Sequence, residues 1–221
     1  LLVDYTGTKE GLAGIEEQIA ELSRDLFTDP VGGEGFCPEL SVKNEGFMTA
    51  GQVQYVCRAG NFIEKGLPYT GSLKVLKVMM GYDYLWNQIR VKGGAYGCMC
   101  SFTRNGDGYF VSYRDPNLDK TVDVYERAAE YVRNFDADER TVTQFIIGAV
   151  SELDTPMTPA TRGNYSLGCY MTNISMEQLQ RERDELLATT DETLKGLSRY
   201  VEAFMSEKCL CVVGNGEKIR E

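Results

Sequence analysis

Apolar residues recur at helical spacing near the start of the chain and again over residues 72 to 90. The first stripe contains Leu12, Ile15, Ile19, Leu22 and Leu26. The second stripe contains Val75, Val78, Met79, Tyr82, Trp86 and Ile89. Because a period near 3.6 residues places such side chains on one face, both segments are predicted to be amphipathic helices. Trp86 is interpreted as a core residue because it lies on the apolar stripe.

Apolar and polar residues alternate with a period of two in three other segments, which are predicted to be strands. In "GQVQYVCRAG" the alternation places Val53, Tyr55 and Cys57 on one face. Residues 95 to 103 and 109 to 113 also alternate, and Asn105-Gly106 between them is a strong hairpin signal. A short closing strand is predicted in "KCLCVVG" near the end of the chain.

Helical spacing returns after the hairpin, first at Val122, Tyr125, Ala129, Val132 and Phe135 and then from Val142 to Leu153. A capping box is predicted with Asp136 and Glu139, and further starts at Thr158-Pro159 and at Ser175 with Gln178. The order is strand, helix, hairpin, several helices and strand. This order predicts an α+β fold, a two-layer sandwich in which helices pack on one face of a mainly antiparallel sheet.

The segment between the first helix and the first strand has no periodicity and is rich in glycine and proline, as in "TDPVGGEGFCPELSVKNEG". We therefore predict three parts: residues 1–27 as a helix that ends a preceding segment, 28–46 as a linker, and 47–221 as the C-terminal α+β domain. The chain begins with Leu1 rather than Met, which predicts that it is a piece of a longer protein.

The composition limits the partners. The chain has 221 residues and a net charge of −10, which disfavours nucleic acid and anionic membrane surfaces and favours cationic peptides. No apolar run approaches the roughly 20 residues of a membrane span. The odd number of cysteines, seven, favours a reducing compartment, and the cytoplasm is predicted.

The chain contains no histidine, which excludes a Ser-His-Asp triad, a Cys-His pair and a histidine zinc ligand within it. The pairs Cys98/Cys100 and Cys209/Cys211 have a spacing that places both members on one face of a strand, whereas zinc knuckles use C-x₂-C on a turn. Core thiols are therefore favoured, with a metal site as the alternative.

The stretch "RVKGGAYG" carries the most informative chemistry. Arg90 ends a predicted helix, Tyr96 begins a strand, and Gly93 and Gly94 lie between them. A forked guanidinium and a phenol together suit a peptide carbonyl that is becoming an oxyanion. The alternatives are a helix-end cation for Arg90, a half-buried strand aromatic for Tyr96, and a purely backbone role for the glycines.

Three segments carry a family resemblance: "NEGFMTAGQVQYVCRAGNF", "LWNQIRVKGGAYG", and "SYRDPNL" with its following "DKTVDVYERAAEYV". Together they resemble the last domain of the pitrilysin or insulinase family of zinc metallopeptidases, in its presequence protease and falcilysin branch. The resemblance runs from about Asn44 to the end of the chain.

The resemblance implies a peptidase of two halves that close around a peptide. Zinc would be held by an H-x-x-E-H motif in the N-terminal half and not by this chain, so the chain alone is expected to be inactive. Arg90 and Tyr96 would be catalytic and, with Gly94, would bind the substrate backbone. The expected partners are the N-terminal half of the same polypeptide and peptide substrates.

Two other functions stay open. A catalytically inert family member would serve as a structural or peptide-binding module, although the presence of both Arg90 and Tyr96 favours a peptidase. A stand-alone thiol enzyme is disfavoured because no imidazole is available to activate a cysteine.

Overall fold

The structure is a computed structural model that describes residues 1–27, 29, 32, 33, 35, 41 and 44–220. Five strands within these residues form one sheet. The strands are β1 Glu45–Thr49, β2 Gln54–Asn61, β3 Gly97–Phe102, β4 Asp107–Asp115 and β5 Cys209–Asn215. Their order is β1-β5-β2-β4-β3, with β1 and β5 parallel and the other three pairings antiparallel. The predicted α+β fold with a mainly antiparallel sheet is confirmed.

Helices make up most of the remaining described chain. They are α1 Lys9–Asp25, α2 Ser72–Met79, a π-helix Met80–Val91, α3 Asp119–Glu126, α4 Ala128–Arg133, α5 Glu139–Leu153, α6 Pro159–Met171, α7 Met176–Leu187, α8 Asp191–Gly196, α9 Ser198–Met205 and α10 Gly216–Arg220. None of the helices in the described ranges is long and apolar enough to cross a membrane.

One face of the sheet is covered by helices, and the other is more exposed. On β2, Val56 and Arg58 are buried towards α3 and α9, whereas Tyr55 on the opposite face is 47% exposed. Of the predicted set, Tyr55 and Cys57 therefore belong to the outer face of the sheet, whereas Val53 precedes β2. The ion pair that the Arg58 guanidinium forms with Glu126 of α3, at 2.8 Å, offsets the cost of burying its charge.

Contacts divide the chain into two compact units, Leu1–Leu40 with Thr155–Leu179 and Ser41–Asp154 with Gln180–Glu221. In the first unit, α1 has no buried residue, and the predicted helix start at Thr158-Pro159 is confirmed by a Thr158 side-chain cap. Most of the predicted linker, residues 28–46, lies outside the described residues, and the three-part organisation stays a prediction.

The helix between residues 72 and 91 changes type at Met80, which corrects the interpretation of Trp86. A π-helix has i→i+5 hydrogen bonds and a wider turn than an α-helix. The buried positions therefore shift to Met80, Tyr84, Leu85 and Ile89, and Trp86 is 38% exposed instead of lying in the core.

The predicted capping box with Asp136 and Glu139 is also wrong in its first residue. Asp138 has an extended backbone and caps α5, because its carboxylate accepts from the Thr141 N–H at 2.8 Å. Glu139 is then the first residue of the helix. The start at Ser175 and Gln178 is confirmed, since the Gln178 N–H donates to the Ser175 hydroxyl.

Candidate functional site

The end of the π-helix and the end of β4 bring four side chains together, which we call the arginine–tyrosine site: Trp86, Arg90, Tyr96 and Arg114. The guanidinium carbon of Arg90 lies 4.0 Å from the Trp86 ring centroid and 5.9 Å from that of Tyr96. The guanidinium carbon of Arg114 lies 5.6 Å from the Tyr96 ring centroid. Tyr96 is 59% exposed, so its ring is accessible to a ligand.

The two glycines turn the chain from the π-helix into β3. The Gly94 N–H donates to the Arg90 carbonyl and the Ala95 N–H to the Ile89 carbonyl, a nested pair of the kind that closes helix C-termini. Gly94 has φ +81, the left-handed conformation that favours glycine, and a Cβ on Gly93 would lie 2.4 Å from the Ile89 carbonyl oxygen. The joint therefore fixes the distance between Arg90 and Tyr96.

Replacing Gly94 by alanine is expected to lower the free energy of unfolding of this chain by about 1 kcal/mol, because φ is positive there. The cost is conformational, since an added Cβ would make only an ordinary 3.6 Å contact with Pro116. Gly81→Ala on the π-helix is the control, because its added Cβ meets nothing within 4 Å and its φ is ordinary. Urea denaturation checks both; equal stabilities for the two variants would contradict the role assigned to Gly94.

Arg114 lies in a β-bulge. The register between β2 and β4 passes from Gln54 opposite Asp115 to Val56 opposite Ser112, so that one extra residue is inserted in β4. Arg114 has φ +49, a left-handed conformation that is uncommon for a residue other than glycine. Its carbonyl accepts from the Tyr96 N–H at 3.3 Å. The bulge therefore positions both the backbone of Tyr96 and a second guanidinium.

Buried polar contacts hold this bulge in place. Asp115 is fully buried, and its carboxylate accepts from the Asn117 N–H at 2.9 Å and from the Thr121 hydroxyl at 2.7 Å. The Asn117 side chain donates in turn to the Gly93 carbonyl at 2.6 Å. These bonds connect the glycine joint to the end of β4, which makes the two sides of the site one rigid arrangement.

The charged groups at the site are the two guanidiniums and the buried carboxylate of Asp115. Within the described ranges, neither Arg90 nor Arg114 lies in an ion pair, and the Tyr96 hydroxyl has no hydrogen-bond partner. The nearest acidic residue in the sequence, Asp115, is buried and accepts the two bonds already described. Two cations and a free phenol donor are thus available to an oxygen-rich ligand.

The thiols close to the site are not poised for catalysis. Burial raises the pKa of Cys98 to about 11, with Arg90 opposing and Asp115 adding to the effect, and burial raises the pKa of Cys100 to about 12. Both thiols are therefore protonated at neutral pH, and the thiolate is the nucleophilic form. This protonation disfavours Cys98 and Cys100 as nucleophiles.

Sequence reasoning found Arg90, Tyr96 and Gly94 but missed Trp86 and Arg114 as members of this site. Trp86 and Arg90 are four residues apart, a spacing that brings side chains together on a helix, and an arginine over an indole is a favourable cation–π pair. That spacing was an available signal. No sequence pattern indicated Arg114, because its position depends on a bulge that forms only when β4 pairs with β2.

The fold is that of an M16 peptidase domain. Over 92% of this chain and 51% of the other, it superposes on a solved structure described as the peptidase M16 inactive domain from Pseudomonas fluorescens, with a TM-score of 0.62 and 16% identity. Residues 44–215 match the PreP C-terminal domain, so the chain belongs to that family, which is the C-terminal part of a pitrilysin-type peptidase.

Two relatives are similar along nearly the whole chain. Protein HypA of Clostridium perfringens is 39% identical over 221 residues, which are 100% of this chain and 23% of that protein. Presequence protease 1, chloroplastic/mitochondrial, of Arabidopsis thaliana is 32% identical over 220 residues, which are 99% of this chain and 20% of that protein. The chain thus spans about a fifth to a quarter of the length of these relatives.

Proposed function

We propose that this chain is the C-terminal, non-metal-binding domain of a zinc-dependent metalloendopeptidase that degrades oligopeptides. In this proposal it closes the catalytic chamber against the N-terminal half of the same polypeptide and presents the arginine–tyrosine site to the substrate. The observation that carries the proposal is the exposed phenol of Tyr96 beside the unpaired guanidinium of Arg90, in a family whose named relatives include a presequence protease.

The donors at the site suit a peptide backbone. The forked guanidinium of Arg90 donates to substrate carbonyl oxygens, and its stacking on Trp86 holds it in one orientation. The Tyr96 hydroxyl donates to the carbonyl oxygen under attack, where negative charge develops. Gly94 brings the backbone of the joint close to the substrate without a side chain.

Zinc is the metal of M16 peptidases, and a catalytic zinc site has three protein ligands with one open position. The chain has no histidine, and no group of three or more Cys, Asp or Glu within its described residues is arranged to hold a metal ion. The donors of the described residues therefore do not fit zinc, and in our proposal the N-terminal half supplies all the ligands.

Replacing Arg90 by alanine in the full-length protein is expected to lower kcat/KM for peptide cleavage by roughly 10- to 100-fold, the value of a hydrogen bond to a charged group. The guanidinium would hold the substrate in both the ground and the transition state, so KM should rise and kcat should fall. Steady-state kinetics checks this expectation. If both KM and kcat of the variant stay within twofold of the wild-type values, the role of Arg90 is contradicted.

The second candidate is a catalytically inert structural or peptide-binding module. The name of the Pseudomonas fluorescens structure, an inactive domain, favours it. The reading frame of the parent gene separates the two candidates: an H-x-x-E-H motif upstream of this segment supports the peptidase, and its absence supports the inert module.

The compartment stays a prediction. The cytoplasm is expected from the odd cysteine number, which favours a reducing compartment.

A further inference from the structure

We propose that Arg114 is a second substrate-binding guanidinium and that it makes the arginine–tyrosine site selective for a carboxylate of the peptide. The carboxylate is either an acidic side chain next to the cleaved bond or the peptide's own C-terminus. This inference rests on the proposed peptidase function and adds a preference among its substrates.

The backbone at Arg114 is the first argument. A left-handed conformation is unfavourable for a residue other than glycine, and bulges of this kind often re-aim side chains next to active sites. Glycine would fit the bulge with less strain, yet the position holds an arginine whose guanidinium carbon lies 5.6 Å from the Tyr96 ring centroid. The bulge therefore places a second cation beside Tyr96.

The local charge is the second argument. Arg90 and Arg114 both approach the ring of Tyr96, and neither pairs with a carboxylate of the described chain. Two guanidiniums near one ring repel each other unless an anion lies close to both. A carboxylate matches the fork of a guanidinium and accepts two parallel bonds.

The net charge of −10 does not contradict this preference. The net charge acts on a whole peptide during its approach and favours cationic peptides. Exposed charges that lie more than roughly 8 Å from a bound carboxylate are largely screened at physiological salt, so they have little effect on it. At the site itself, two guanidiniums lie close to the Tyr96 ring. A peptide that is cationic overall and carries one carboxylate near the cleaved bond satisfies both.

The test uses the full-length protein and three peptides of otherwise identical cationic sequence. The first has Glu next to the cleaved bond and an amidated C-terminus, the second has Gln there and is amidated, and the third has Gln and a free C-terminal carboxylate. For the wild type we expect kcat/KM for one of the two carboxylate peptides to exceed that for the neutral peptide by about tenfold, mostly through KM. Which one is preferred identifies the source of the carboxylate.

Arg114→Gly is expected to reduce this preference below about twofold, while the free energy of unfolding stays equal or rises because glycine relieves the left-handed strain. Arg114→Asn, which also tolerates this conformation, should behave alike, and Arg114→Lys should restore part of the preference.

Lys208→Gly is the matched control. Lys208 has φ +56 in the turn before β5, outside the site, so the change removes the same charge and the same strain. It should keep the tenfold preference. A wild type that cleaves all three peptides equally, or an Arg114→Gly variant that keeps the preference, would overturn the inference and leave the peptidase proposal standing. A wild type that cleaves none of them would overturn both.

Discussion

Replacing Tyr96 by phenylalanine is expected to lower kcat for peptide cleavage by the full-length protein by roughly 10²- to 10³-fold, the typical value of one oxyanion donor. The hydroxyl would contact the substrate most strongly when negative charge develops on the carbonyl oxygen, so KM should change little. The free energy of unfolding should also be unchanged, because the hydroxyl has no partner within the described chain and the residue is 59% exposed.

Tyr82→Phe is the control for this variant. Tyr82 lies on the same π-helix, is 71% exposed and takes no part in the arginine–tyrosine site, so its hydroxyl should be dispensable. Kinetics of both variants at saturating peptide checks the expectation. If Tyr96→Phe keeps kcat within twofold of the control, Tyr96 is only an exposed aromatic residue at the start of a strand.

Replacing Glu182 by alanine is expected to lower the free energy of unfolding of this chain by about 3 kcal/mol, the low end of the range for a broken buried ion pair. The Glu182 carboxylate on α7 accepts from the guanidinium of Arg104, in the turn between β3 and β4, at 2.6–2.9 Å. Its side chain is 5% exposed, whereas that of Arg104 is 32% exposed, and solvent access to Arg104 keeps the cost at the low end.

The pair of Asp154 and Arg183 is the control, since it is also a carboxylate bound to a guanidinium through both oxygens, at 2.7 and 2.8 Å, but the Asp154 side chain is 51% exposed. Asp154→Ala should cost less than about 1 kcal/mol. Urea denaturation of both variants checks the difference. Equal losses of stability would contradict the view that burial, and not the bond geometry, determines the contribution of Glu182.

Local signals explain which parts of this fold could be predicted from sequence. The hairpin with Asn105-Gly106 connects β3 to β4 as predicted, because a two-residue turn signal acts over a few residues. The closing strand and the helix start at Thr158 follow from equally short patterns. Each of these elements is specified by residues that are neighbours in the sequence.

Features that depend on distant pairing or on an unusual helix could not be predicted. The exposure of Trp86 follows from the switch to a π-helix at Met80, and a stripe counted at 3.6 residues per turn does not reveal it. The left-handed conformation of Arg114 follows from a bulge against β2, about 60 residues earlier in the chain.

Part of the candidate site could be predicted because three of its residues are close together in the sequence. Arg90, Gly94 and Tyr96 lie within seven consecutive residues, and the two glycines there indicate a turn between a helix and a strand. The structure brings the Arg90 guanidinium to 5.9 Å from the Tyr96 ring centroid. Their roles in catalysis stay a prediction, since those roles depend on groups outside this chain.

The most direct test of the proposed function is the structure of the full-length protein with a bound, uncleaved peptide. We expect the Tyr96 phenol oxygen and a guanidinium nitrogen of Arg90 to lie within about 3.2 Å of peptide carbonyl oxygens, the limit of a good hydrogen bond. A peptide bound in the chamber with both side chains in solvent and out of contact with it would contradict the account.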